Sequence, residues 1–133
     1  MKRMLGVLAI AALTLIAAEA MAAGMSGMSE KAGKAAAKSK MVKGEIVDMG
    51  CYLGHGARGA DHKSCATKCI TSGMPFGLLT TDGKLYLLTL NHDNPDPYNK
   101  CKDMAAETVE VTGALSQRNG IMAIDVADVK PAK

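Results

Sequence analysis

The chain has 133 residues, of which 48% are hydrophobic and 22% charged, a balance that suits one globular domain and excludes a wholly disordered chain. Its formal charge of +3 sits near the amino terminus, because from Met41 onward 10 basic and 11 acidic residues give 10 − 11 = −1. A near-neutral body with only four aromatics (Tyr52, Phe76, Tyr86 and Tyr98) has neither the basic footprint nor the stacking platform of a nucleic-acid binder.

Lys2 and Arg3 precede an apolar run from Met4 to Ile16, broken only by Gly6 and Thr14. Ala18-Glu19-Ala20 and Ala20-Met21-Ala22 follow as small-x-small cleavage sites. Together these form the three-part pattern of a signal peptide, expected over residues 1–22. A membrane-spanning helix needs about 20 apolar residues, and this run is shorter. Export to a bacterial periplasm or beyond is therefore expected, with no membrane attachment after cleavage. Residues 23–40 are rich in Gly, Ser, Ala and Lys, too poor in bulky apolar groups to offset their ordering entropy, and read as a flexible linker. An alternative for Met25 and Met28 is a soft-metal-binding tail.

Residues 41–131 carry the pattern of a small β-rich domain. Val42 to Leu53 is the first strand candidate, with Gly44 and Gly50 as bulge points. Asp61 to Ser72 reads as a helix capped by Asp61 and ended by Gly73 and Pro75. Phe76 to Thr81 and Lys84 to Leu90 flank Asp82-Gly83, a two-residue hairpin signal. Asn91 to Asp96 is a loop. Asp96 as N-cap and Pro97 as first helical residue open a short helix to about Ala106. Thr108 to Gln117 and Ile121 to Lys130 form a second hairpin around Asn119-Gly120, with period-two alternation at Val109, Val111, Ile124 and Val126. Five strands must protect their edges, and closure does so. The expected fold is mainly β, a small five-stranded OB-like barrel with one or two short helices. A small open α+β sheet is the alternative.

The chemistry lies between residues 51 and 69, where three of the four Cys meet two of the three His: Cys51, His55, His62, Cys65 and Cys69. On a continuous helix, positions 62, 65 and 69 share one stripe. Cys51 approaches from the end of a strand, and His55 rides in the glycine-rich loop Gly-His-Gly-Ala-Arg-Gly. Thiolate with imidazole suits Zn²⁺ or Cu⁺, with Met49 or Met74 as a further thioether. The Cys-x3-Cys spacing of Cys65 and Cys69 resembles the copper-binding spacing of cytochrome oxidase assembly factors, a likeness confined to those two residues. An exported chain with an even number of Cys also admits disulfides. A Cys51–Cys65 bridge would close a loop of about 15 residues, worth roughly 3 kcal/mol, and Cys69 would then pair with Cys101. A third reading is a redox-active thiol pair, since Cys65 falls in the first turn of the proposed helix with Lys63 and Lys68 nearby. The Cys-x2-Cys and βαβ context of thioredoxin-like proteins is missing. No nucleophile elbow, His-Glu-x2-His, phosphate loop or Cys-x2-Cys-His occurs, so the motifs of hydrolytic enzymes and of covalent haem are absent.

From Val42 to Val129 the chain resembles a family of small exported bacterial proteins with an OB-like domain and no settled activity. The likeness is carried by Cys51, the Gly-His-Gly loop, His62, Cys65, Cys69 and the Gly73-x-Pro75 exit into a Gly-Leu-Leu strand. The segment from Thr108 to Val129 is similar to the last hairpin of many OB barrels. The resemblance implies export and fold, and no substrate. Three function classes stay open: a binding module for a soft or borderline metal ion, a disulfide-stabilised interaction domain that binds a periplasmic protein partner or a glycan on its barrel face, and a thiol–disulfide redox protein.

Overall fold

The computed structural model describes residues 39–133. The signal peptide expected over 1–22, most of the linker over 23–40, and Met25 and Met28 lie outside the described residues. The elements run β1 (Ser39–Asp48), α1 (Met49–His55), a 3₁₀ turn (Ala60–His62), α2 (Lys63–Thr71), β2 (Phe76–Leu79), β3 (Leu85–Leu90), α3 (Asp96–Asp103), β4 (Thr108–Arg118) and β5 (Ile121–Pro131).

The five strands form one mixed sheet that closes in a ring in the order β1-β2-β3-β5-β4. Only the β3–β5 pair is parallel. Strand β1 is long enough to serve two neighbours. Its first half pairs with β4 from Ser39 opposite Ala114 to Glu45 opposite Thr108. Its second half pairs with β2 from Glu45 opposite Leu79 to Asp48 opposite Phe76. Ser39 and Lys40, read from the sequence as linker, thus belong to the ladder. The expected bulges at Gly44 and Gly50 are not found. The ladder shifts register instead between Thr112 and Gly113, and Gly50 is helical.

Two turns differ in kind. Asn119 and Gly120, at φ 49° and 85°, make the tight two-residue link expected between β4 and β5. The β2–β3 link is longer than the expected two-residue turn. The N–H of Thr80 donates to the Lys84 carbonyl at 2.9 Å, enclosing three residues with Gly83 at φ 81°. This is the three-residue hairpin loop with a left-handed glycine.

The core is apolar and continuous. Ile46, Phe76, Leu78, Val109, Val111, Ile124 and Val126 are each at most 1% exposed. Each such burial is worth about 1.5–3 kcal/mol before entropy is charged against it. Helix α2 packs Ala66 and Ile70 inward, and α3 packs Pro97 and Cys101. The Phe76 and Tyr98 rings meet at 4.8 Å with a 33° tilt. Helix α3 starts at Asp96 and ends at Asp103, so Asp96 is its first residue and not its cap. No helix of the described residues is long and apolar enough to cross a membrane.

Candidate metal centre

The site begins where β1 stops. The first strand was expected to run to Leu53, but it ends at Asp48 because that side chain captures the next backbone turn. Its carboxylate accepts from the N–H of Gly50 at 3.0 Å and of Cys51 at 3.2 Å. Two of the helix's unpaired donors are satisfied in this way, and the chain turns into α1. Cys51 is thereby fixed one turn inside a short helix. Asp48 is only 1% exposed and, among the described residues, has no Lys or Arg ion-pair partner.

Helix α2 supplies the other thiols. Cys65 and Cys69 are one turn apart and lie on the stripe next to the inward-facing Ala66 and Ile70. The helix ends in a Schellman motif: the N–H of Gly73 donates to Ile70 O at 3.1 Å and that of Met74 to Cys69 O at 3.0 Å. Gly73 takes φ 99°, which a side chain would resist. The expected Gly73–Pro75 exit is therefore present and locks the backbone at Cys69. Asp61, expected as the cap, sits inside the 3₁₀ turn, and α2 has no side-chain cap at its amino end.

The sulfurs of Cys51, Cys65 and Cys69 all lie within 4.8 Å of one another. Around tetrahedral zinc, with Zn–S near 2.3 Å, ligand sulfurs stand about 3.8 Å apart, so a rotation of roughly an ångström closes the set on an ion. The donor chemistry fits a soft or borderline cation. A second set of Asp48, Cys51 and His62 places its ligand atoms within the same 4.8 Å limit. His62 therefore does not continue the Cys65–Cys69 stripe. It closes the 3₁₀ turn, whose step of about 120° differs from the α-helical 100°, and its ring is directed to the end of β1. Its Nε2 is buried with no hydrogen-bond partner. No family model, curated protein or solved structure matches the chain.

The electrostatics follow from this packing. Burial pushes the Asp48 carboxyl up, but hydrogen bonds from the Cys51 thiol and from the Gly50 and Cys51 N–H groups, with His62 nearby, outweigh it and hold the pKa below 3.8. Cys51 responds in the opposite sense. Its hydrogen bond to Asp48, then burial and the Asp48 charge, raise it to about 12. Burial and the neighbouring Cys65 also raise Cys69.

The remaining candidates fall elsewhere. His55 is exposed at the end of α1, its ring 6.4 Å from that of His62, and it belongs to neither ligand set. A Cβ at Gly77 would lie 2.9 Å from the Met49 sulfur, so Met49 packs over the β2 backbone. Met74 covers Gly50 at the rim of the site. All four cysteines are free, so the expected Cys51–Cys65 and Cys69–Cys101 bridges are not formed. Cys101 is 0% exposed in the apolar core with Phe76 and Ile124, whereas Cys69 is grouped with Cys51 and Cys65. Asp48 is the residue that sequence reasoning missed. The signal was available: an Asp at the end of an alternating run, two and three residues before the Gly and Cys whose N–H groups it accepts.

Proposed function

We propose that the chain is an exported metal-binding module, a small OB-like barrel that holds one soft or borderline ion, Zn²⁺ or Cu⁺, on Cys51, Cys65 and Cys69. The observation that carries this reading is the convergence of three sulfurs from two helices within 4.8 Å. The OB-like assignment is supported by five strands closing in a ring with β3 and β5 parallel. Export is supported by the three-part pattern at residues 1–22. A bound ion would draw the protons from the thiols and fix α1 to α2.

The test is metal titration of reduced protein, with thiol counting alongside. One equivalent of Zn²⁺ or Cu⁺ should protect Cys51, Cys65 and Cys69 from alkylation. Replacing any one of them by Ser should weaken binding by more than about 100-fold, while Cys101→Ser should not. Direct competition between Zn²⁺ and Cu⁺ identifies the preferred ion. A protein that binds neither ion stoichiometrically, or that is purified with Cys51 joined to Cys65, refutes the reading and favours a redox or cross-linked module.

A further inference from the structure

The ligand atoms around Cys51 do not form one group. They form two sets of three, Cys51–Cys65–Cys69 and Asp48–Cys51–His62, each compact to 4.8 Å and joined only through the Cys51 sulfur. We propose that Asp48, Cys51 and His62 form a second cation subsite, so that the chain holds a pair of divalent ions bridged by the Cys51 thiolate. This deepens the three-thiol reading and rests on it.

Three observations carry the proposal. The first is the orphaned nitrogen. His62 Nε2 is buried and has no hydrogen-bond partner among the described residues, a condition that costs about 1–3 kcal/mol if nothing meets it. One of the two imidazole nitrogens of the same ring lies within 4.8 Å of a carboxylate oxygen of Asp48 and of the Cys51 sulfur, the spacing of a shared cation's ligands. The second is charge. Ion binding would turn the three thiols into thiolates, which with the buried Asp48 carboxylate would make four negative charges. A single divalent ion would leave two of them uncompensated. The nearby Lys63 is engaged 2.6 Å from Glu107. Two divalent ions balance the site.

The third is geometry. Thiolate sulfur can bridge, and two ions each about 2.3 Å from it would stand roughly 3.5–4 Å apart, the separation of known two-metal sites. Asp48 is already aimed. Its two oxygens each accept one backbone N–H, which leaves lone pairs on both. The Asp, Cys and His donor set suits Zn²⁺ and Co²⁺ better than Cu⁺.

The experiment is stoichiometry on the full chain, reduced and stripped of metal, titrated with Zn²⁺ and read by native mass spectrometry. Two ions per chain are expected. H62A should fall from two ions to one while its three-thiol site stays filled. The C65S/C69S pair should also retain one ion, now dependent on His62. Loading with Co²⁺ gives a check that needs no variant: two ions sharing a thiolate couple magnetically, so the paramagnetic signal per cobalt should fall as the second equivalent binds. A wild-type chain that saturates at one ion overturns the second subsite and leaves the three-thiol reading standing. Two ions retained in H62A also overturn it. A wild-type chain that binds no ion removes both readings.

Discussion

Asp48→Ala is the sharpest test of how the site is built. The substitution removes the acceptor for two backbone N–H groups, at 3.0 and 3.2 Å, at the start of a seven-residue helix. Loss of an N-cap costs about 1–2 kcal/mol. The two donors are part-buried, so water replaces the carboxylate only incompletely, and the poorly satisfied groups add about 1 kcal/mol. Relief of the carboxylate's own desolvation works in the other direction. A net loss of about 2 kcal/mol is expected, which lowers Tm by roughly 10 °C or more in a domain of this size. Asp48→Asn keeps one acceptor oxygen and should lose about half as much. The assay is urea denaturation of each variant with a chelator present, so that metal binding does not contribute. If Asp48→Ala stays within about 0.5 kcal/mol of wild type, or Asn is as damaging as Ala, then the carboxylate does not hold α1 in place and the account of Cys51 positioning fails.

Gly113 stands where β4 shifts register, and a Cβ there would lie 2.2 Å from Asp125 O. Gly113→Ala should therefore cost at least about 3 kcal/mol in urea denaturation. Gly54→Ala meets nothing within 4 Å inside α1 and should be neutral or stabilising by up to about 1 kcal/mol; the reverse order of the two would contradict the packing described. Burial raises the Cys101 thiol from 9.0 to about 12. The unfolded chain therefore loses this proton first, so the contribution to stability is intact below pH 9.0 and is lost as the pH rises toward 12. Cys101→Ala should flatten that alkaline decline, and Tm profiles against pH with equal slopes for the two proteins would refute it. Lys63→Ala breaks an exposed pair with Glu107 and should change unfolding free energy by less than about 1 kcal/mol.

The strands after Pro75 were legible because each carries its own signal. Valine and isoleucine alternate in β4 and β5, and Asn119-Gly120 fixes the turn between them. The β2–β3 turn is one residue longer than its Asp-Gly pair announces because Thr80 closes the loop with both its N–H and its hydroxyl. Helix α1 was hidden for a physical reason. Gly50 and Gly54 are poor helix formers, and the alternation of β1 runs into it without a break. What makes it a helix is one buried carboxylate. The three-cysteine grouping was readable from spacing, since Cys65 and Cys69 are one helical turn apart. The orientation of His62 was not readable. A 3₁₀ turn precedes α2, and no local residue marks the change of pitch.

Every donor in the candidate centre falls between Asp48 and Cys69, ahead of the distant pairings of β1 with β4 and β3 with β5 that complete the ring. Chelation at this proposed centre would therefore need only a short loop closed, and the denatured chain would keep part of that grip on a cation. Heat resistance gained on loading would then understate the affinity of the folded site, because whatever the unfolded polypeptide still clasps is subtracted from the benefit.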